Sequence, residues 1–90
     1  MNSKIKSKEV DFLFDAILQL KNEDECYQFF EDLCTNKELE QMAERAYAAR
    51  LLIEGKTYTQ IIAQADISSA TLSRVSQCVQ YGKGYSQFLK

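Results

Sequence analysis

Residues 57–79 read TYTQIIAQADISSATLSRVSQCV, the segment of this chain with the most specific pattern of caps and apolar positions. Thr57 followed three residues later by Gln60 has the form of a capping box, which starts a helix. Asp66 then interrupts the apolar run, and Ser68 can accept a hydrogen bond from an amide at the start of a second helix. The stretch therefore predicts two short helices joined by a tight corner, the outline of a helix-turn-helix.

The second predicted helix has an apolar face and a polar face. Leu72, Val75 and Val79 recur at intervals of three and four, so we expect them to face inward. The outer face keeps small or polar residues, namely Ser69, Ala70, Ser73, Arg74 and Gln77. Short side chains let a helix approach the floor of the DNA major groove, where serine and arginine reach phosphates or base edges. On pattern alone, an ordinary helical hairpin with solvated serines fits equally well.

A DNA-facing surface would also include residues at and just before the first helix of the helix-turn-helix, at the edge of the groove. The predicted DNA-binding residues are Lys56, Thr59, Gln60, Ser68, Ser69, Ala70, Ser73 and Arg74. Because the side chains are short, we expect water-bridged contacts and DNA shape to carry much of the specificity.

The composition indicates one globular domain over residues 1–90. The chain contains 46% hydrophobic residues and no proline, and no linker or repeat divides it. A chain of this length buries only about 60% of its unfolded surface, so a partner subunit would help to stabilise it. No apolar run approaches the roughly 20 residues of a membrane span. The N-terminal segment lacks the apolar core of a signal peptide, so we expect a cytoplasmic protein.

The residue types present do not favour an enzyme or a metal site. The three cysteines form no CxxC pair, and the chain has no histidine, so a zinc site lacks ligands. We expect reduced and mostly buried thiols, no metal and no cofactor. The usual general base at neutral pH is absent, and no nucleophile elbow or Gly-rich phosphate loop occurs.

Charge is distributed unevenly along the chain. The formal net charge is −2. Residues 1–42 contain five Lys and ten Asp or Glu, which gives a charge of −5. Residues 43–90 contain six Lys or Arg and three acids, which gives a charge of +3. The predicted DNA-facing half is therefore the basic half, as phosphate contact requires. The same modest excess also fits an ordinary solvated surface.

Two helices are predicted before the long central helix. Ser7 can cap a helix over residues 8–21, whose apolar face is wide. Asn22 and Glu25 form a second capping box, which starts an aromatic helix whose aromatic side chains we expect in the core. These two apolar faces comprise Val10, Phe12, Leu13, Phe14, Ile17, Leu18 and Leu20, and then Cys26, Tyr27, Phe29, Phe30 and Leu33.

The central helix is predicted over residues 36–54. Thr35 and Glu38 form its capping box, and Gly55 ends it. Its predicted seam consists of Leu39, Met42, Ala43, Ala46, Ala49 and Ile53. At the C-terminus, Tyr85, Phe88 and Leu89 predict a short helix that packs back on the core.

The order and spacing of these parts resemble the tryptophan repressor superfamily, in particular its small branch of repressor-like proteins. The segments that carry the likeness are LCTNKEL, AERAYAARLLIEGKTYTQ and SATLSR, and it covers about residues 33–79. The resemblance implies an all-α fold of about six helices with a helix-turn-helix, in an intertwined homodimer. Residues 1–54 would form the dimerisation helices, residues 57–79 the helix-turn-helix and residues 80–90 the C-terminal helix.

The resemblance also implies a binding site for a small-molecule corepressor. In the tryptophan-binding members the indole lies between two arginines, and Arg45 and Arg74 fall at those positions. Thr35 falls where a threonine lines the pocket, and Cys78 falls at a serine position, where its thiol is only a weak donor. Val75 replaces a glycine and intrudes on the space for the ring, which argues against tryptophan.

Each residue of this implied site has an alternative interpretation. Thr35 is also an N-cap, Arg45 could lie on a solvated helix face, and Arg74 cannot stack on a ligand while binding guanine bidentately. The corner, DIS, is also one residue shorter than in the family and has no glycine.

Two functions follow. The first is a homodimeric, sequence-specific DNA-binding transcriptional regulator, most simply a repressor. The alternative is a ligand-sensing or protein-interaction dimer that keeps the fold without binding DNA.

Overall fold

A computed structural model describes residues 4–90, which contain six helices and no strand. Residues 1–3 lie outside the described residues. They begin the predicted dimerisation segment and also the N-terminal segment, which the sequence predicts not to be a signal peptide. The helices are α1 (Lys8–Ile17), α2 (Glu23–Leu33), α3 (Asn36–Ile53), α4 (Tyr58–Gln64), α5 (Ser69–Tyr81) and α6 (Gly84–Phe88). The predicted all-α class with a helix-turn-helix is confirmed.

The chain divides into two compact units, Met1–Thr35 with α1 and α2, and Asn36–Lys90 with α3 to α6. One domain over residues 1–90 stays a prediction. Within the described part of the chain, no helix is long and apolar enough to cross a membrane.

In the first unit, α1 is shorter than predicted. It begins as expected, with the Ser7 side chain accepting from the Val10 N–H at 3.1 Å, but it ends at Ile17 rather than at residue 21. After the helix, backbone hydrogen bonds join residues only three apart: the Leu20 N–H donates to the Ile17 carbonyl at 3.1 Å.

Asn22 caps α2 by accepting from the Glu25 N–H at 2.9 Å. Glu25 Oε1, however, accepts from the Lys21 N–H at 2.8 Å and not from the Asn22 N–H. The reciprocal capping box predicted at Asn22 and Glu25 is therefore wrong.

The apolar faces of α1 and α2 are not buried within one chain. Neither helix contains a buried residue, and Phe12 and Leu18 are 76% and 80% exposed. Phe29 and Phe30 pack edge to face at 5.7 Å but are only half-buried. The predicted aromatic core is therefore wrong for the single chain, because two short helices alone cannot enclose so much apolar surface.

In the second unit, a Schellman motif ends α3. Gly55 has φ +92°, its N–H donates to the Leu52 carbonyl at 3.0 Å, and the Lys56 N–H donates to the Leu51 carbonyl at 3.0 Å. The predicted stop at Gly55 is confirmed, and α3 ends at Ile53, one residue earlier than predicted.

The core of this unit lies where α3 meets the helix-turn-helix. Ala48 and Leu51 of α3 form a buried cluster with Ile61 of α4 and Leu72 of α5. Of the predicted α3 seam only Ala49 is buried, and Ala43 is exposed. The prediction missed Ala48 and Leu51, because alanine and leucine occur around most of this helix and periodicity does not identify the face that α4 and α5 cover.

The short α6 packs against α3 and α5, as predicted, with Tyr85 half-buried. Phe88 is 76% exposed and does not join the core. The three cysteines are free thiols, but Cys26 and Cys78 are exposed and only Cys34 is half-buried. The prediction of mostly buried thiols is thus wrong, because Cys26 lies on a helix without buried positions and Cys78 borders an open cleft.

Candidate functional site

Reciprocal capping sets the start of the helix-turn-helix. The Gln60 N–H donates to Thr57 Oγ1 at 3.2 Å, and the Thr57 N–H donates to Gln60 Oε1 at 2.9 Å. Both bonds satisfy amides that the first turn of α4 leaves without helical partners. The predicted capping box is confirmed, and its polar groups fix the point at which the chain turns from Gly55 into α4.

The corner between α4 and α5 needs no glycine. The Ala65 N–H closes α4 on the Ile61 carbonyl at 2.8 Å, and the Ile67 N–H donates to the Ala65 carbonyl at 3.0 Å. Ser68 then caps α5, accepting from the Thr71 N–H at 3.2 Å. No non-glycine residue in the described part of the chain has a positive φ, so this short corner is built without backbone strain.

All of the predicted DNA-binding residues are exposed on the surface of the second unit. They are Lys56, Thr59, Gln60, Ser68, Ser69, Ala70, Ser73 and Arg74. On the opposite side of α5, Leu72 and Val75 are buried, so this helix has the two faces that its spacing predicts.

Two members of this set already use their side chains within the protein. Gln60 Oε1 is occupied by the capping box, and Ser68 Oγ both accepts from the Thr71 N–H and donates to Thr71 Oγ1 at 3.0 Å. Their free hydrogen-bonding capacity is therefore reduced. Lys56 and Arg74 are the two charged side chains of the set, and residues 57–79 contain one further charge, Asp66.

An open cleft of about 320 Å³ lies between α3, α5 and α6. It is lined by Arg45, Thr71, Arg74, Val75, Cys78 and Tyr85. The structure thus brings together three of the residues implied for a ligand site, Arg45, Arg74 and Cys78, with Val75 in the same wall. Thr35 belongs to the first unit, whereas every lining residue belongs to the second.

Thr71 and Tyr85 are lining residues that the sequence analysis missed. Thr71 lies three residues before Arg74 on α5, a spacing that places both on one side of the helix and could have identified it. Tyr85 comes from a separate helix, so only the tertiary structure reveals its place in the cleft.

The two arginines of the cleft have no acidic partner in the part of the chain that the structure describes. Within the described residues, neither Arg45 nor Arg74 forms an ion pair, whereas Arg50 contacts Glu54 at 3.0 Å on an exposed face of α3. Arg45 is half-buried. No carboxylate lines the cleft, so both guanidinium groups contribute to a positive potential there.

A second cavity, also of about 320 Å³, borders the first and shares Arg45 and Thr71 with it. Its other lining residues are Gln41, Glu44, Asp66, Ile67 and Ser68. The two cavities therefore differ in charge, since the second contains two carboxylates. No group of three or more Cys, Asp or Glu is placed to hold a metal ion among residues 4–90.

Comparison with known proteins gives consistent relatives. The family model for the Trp repressor protein matches residues 8–90. The uncharacterized protein YerC of Bacillus subtilis (strain 168) is 49% identical over 79 residues, which cover 88% of this chain and 76% of YerC.

Two solved structures match over nearly their whole length. A candidate Trp repressor from Staphylococcus aureus has a TM-score of 0.93 and 42% identity, with 99% of this chain and 91% of that chain covered. A TrpR-like protein from Eubacterium eligens ATCC 27750 has a TM-score of 0.90 and 44% identity, with 96% and 90% covered.

The fold, the helix-turn-helix and the family match together define a class of DNA-binding transcription regulators. The chain belongs to the Trp repressor family. Its similarity to YerC fits a small, uncharacterised branch of that family.

Proposed function

We propose that this protein is a homodimeric, sequence-specific DNA-binding repressor rather than an enzyme, and that a small molecule bound between Arg45 and Arg74 modulates it. The observation that carries the proposal is the two-faced α5: its inner residues Leu72 and Val75 are buried, and its outer face presents short side chains and one arginine to solvent. A helix of this kind, capped by Ser68, can enter the major groove with its first turns closest to the bases.

Few side chains in this surface can read bases directly. Arg74 can bind guanine bidentately, whereas Ser69 and Ser73 offer single hydroxyls. Ala70 allows close approach without a polar contact. Lys56 lies just before α4, and we expect it to contact a phosphate at the edge of the groove. Specificity would then depend largely on bridging water and on DNA shape.

A dimer is supported by apolar surface that one chain leaves uncovered. Phe12 and Leu18 of the first unit are largely exposed, as Phe14, Tyr27 and Leu33 are to a smaller extent. The second unit carries a groove of about 560 Å³ along α3, bordered by Ala43, Ala46 and Tyr47. Surface of this kind in a small soluble protein marks an interface. A two-fold dimer would set its two recognition helices about 34 Å apart, one turn of DNA.

The alternative function, an effector-sensing or protein-interaction dimer without DNA binding, rests on charge. Residues 57–79 contain one acidic and one basic residue and so have no net charge. A DNA-binding surface normally has a basic excess, because phosphate neutralisation supplies most of the non-specific affinity. Lys56 lies just outside this stretch and is the main additional cation.

Selection of bound sequences from a randomised duplex pool at near-physiological salt tests the proposal. We expect enrichment of a two-fold symmetric site. Arg74→Ala should abolish discrimination between that site and random DNA, and the matched variant Lys90→Ala should not. An Arg74→Ala protein that still discriminates would show that α5 does not read the site, and a pool with no enrichment, with or without added tryptophan, would favour the alternative function.

A further inference from the structure

We propose that Asp66, at the corner of the helix-turn-helix, is a specificity-determining residue of the DNA-binding surface. Its carboxylate accepts a hydrogen bond from an amino group of cytosine or adenine, and it repels phosphate. This role rests on the proposed DNA-binding function, and it adds a residue from outside the predicted DNA-binding set.

Asp66 has no side-chain partner within the part of the protein that the structure describes. It is exposed, and its carboxylate forms no hydrogen bond or ion pair with any described residue. Arg45 lines the same cavity as Asp66 but is not ion-paired with it. The first amides of α5 do not need this carboxylate either, because Ser68 caps the helix. The charge of Asp66 is therefore available to an external ligand.

The corner places Asp66 beside the start of α5. It lies between α4, which ends at Gln64, and α5, which begins at Ser69. The Ile67 N–H donates to the Ala65 carbonyl at 3.0 Å, which keeps this connection tight. In a helix-turn-helix the first residues of the second helix contact base edges, and the first helix crosses the DNA backbone. A corner that joins the two helices is then held close to the DNA, and the carboxylate of Asp66 with it.

Asp66 also opposes the charge of its surroundings in the sequence. It is the only Asp or Glu in residues 55–90, which otherwise carry the cations Lys56, Arg74, Lys83 and Lys90. An acid in this position weakens the attraction to phosphate, which supplies most of the non-specific affinity for DNA. That cost applies on every DNA sequence, and it is offset only where the carboxylate finds a hydrogen-bond donor.

The bases differ in what they offer to a carboxylate. An ionised carboxylate is an acceptor only, so it pairs with the N4 amino group of cytosine or the N6 amino group of adenine. Guanine O6 and N7 and thymine O4 are acceptors and would face it with lone pairs. Asp66 therefore favours cytosine or adenine at the base that it faces, and it penalises complexes held by phosphate contacts alone.

Selection from a randomised duplex pool with the parent and with Asp66→Asn tests this role. We expect one position in each half of the parent's two-fold site to contain cytosine or adenine on the strand that faces Asp66. An asparagine amide can also donate to guanine O6 or thymine O4, so the preference at that position should fall by at least about threefold, while other positions keep theirs. Asp66→Glu retains the carboxylate and should retain the preference.

The affinity for a random-sequence duplex is the second readout. Removal of one like charge per subunit should raise this affinity by at least about threefold in Asp66→Asn. Asp32→Asn is the matched control, because it removes an exposed carboxylate from α2, outside the helix-turn-helix, and it should change the affinity much less. Thermal unfolding verifies that each variant is folded. A purely structural role of Asp66 would lower the melting temperature of Asp66→Asn without changing its base preferences.

The outcomes separate this role from the proposed function. A parent protein that enriches no site removes the proposed function and the role of Asp66 with it. A parent site that Asp66→Asn selects with identical base preferences overturns the role of Asp66 alone. An equal rise in random-duplex affinity for Asp66→Asn and Asp32→Asn would also overturn it, because the effect would then follow total charge.

Discussion

Ile61 of α4 and Leu72 of α5 lie in the same buried cluster, and both are 0% exposed. They are the largest fully buried side chains among the described residues, and they pack with Ala48 and Leu51 of α3. The two helices of the helix-turn-helix are thus held by this apolar contact, whereas their ends are fixed by caps. The orientation of the polar face of α5 therefore depends on a small number of core atoms.

Leu72→Ala should lower the free energy of unfolding by about 2–5 kcal/mol, because it removes a buried side chain and leaves a cavity. Urea unfolding at a fixed protein concentration measures the change. Ile62→Ala is a suitable control, since Ile62 is the neighbour of Ile61 but is partly exposed, and it should cost much less. Equal losses in the two variants would contradict the assignment of Leu72 to the core.

Gly55→Ala should lower stability by about 1–2 kcal/mol. The reason is backbone conformation, since Gly55 has φ +92° and a Cβ there would meet no atom within 4 Å. Gly84→Ala is the matched control: it also meets open space, but its φ lies outside the left-handed region. We expect this control to be neutral or to stabilise the protein by up to about 1 kcal/mol, because alanine restricts the unfolded chain. Thermal unfolding measures the stability of both variants. A loss in Gly55→Ala alone indicates backbone strain at residue 55, whereas equal changes in the two variants indicate only reduced flexibility of the unfolded chain.

The local parts of this fold could be read from the sequence. The caps at Ser7, Asn22 and Ser68 and the capping box at Thr57 depend on residues three apart, so the sequence contains all the information that they need. Gly55 was equally clear, because few residues tolerate its conformation. The end of α1 was harder, because no glycine or asparagine directly follows Ile17 in the sequence.

Burial was predicted less well than helix position. The α3 stripe that faces α4 and α5 could not be identified, because this helix is apolar on more than one side. The same limit affects the cleft: Arg45, Arg74 and Cys78 came from the family resemblance, but Tyr85 reaches the cleft only through the packing of α6 on α3 and α5. Such contacts depend on tertiary structure, which periodicity does not describe.

Lys56→Gln should reduce the salt dependence of DNA binding. Each lost phosphate contact lowers the slope of log K against log salt by about 0.9, so a dimer that loses two should change by roughly 2. Lys83→Gln removes the same charge from a residue outside the predicted DNA-binding set and should leave the slope close to that of the parent. Fluorescence anisotropy of a labelled duplex over a salt series gives both slopes. A slope unaffected by Lys56→Gln would show that Lys56 does not contact phosphate.

Leu18→Ser should shift the protein from dimer to monomer. Leu18 is 80% exposed in the single chain, and we assign it to the dimer interface. Burial of a leucine contributes about 1.5–3 kcal/mol, and a symmetric dimer contains two copies, so the dissociation constant should rise by a factor of about a hundred or more. Sedimentation velocity over a concentration series measures this shift, with far-UV circular dichroism to verify that the variant is folded.

Tyr81→Ser is the control for this interface, because Tyr81 is 84% exposed at the end of α5, outside the predicted dimerisation segment. It removes more apolar surface than Leu18→Ser does, yet it should leave the dimer intact. The comparison separates a specific interface from general loss of surface hydrophobicity. If the two variants dissociate alike, exposed apolar side chains promote association without a defined interface, and the two-fold placement of the recognition helices loses its support.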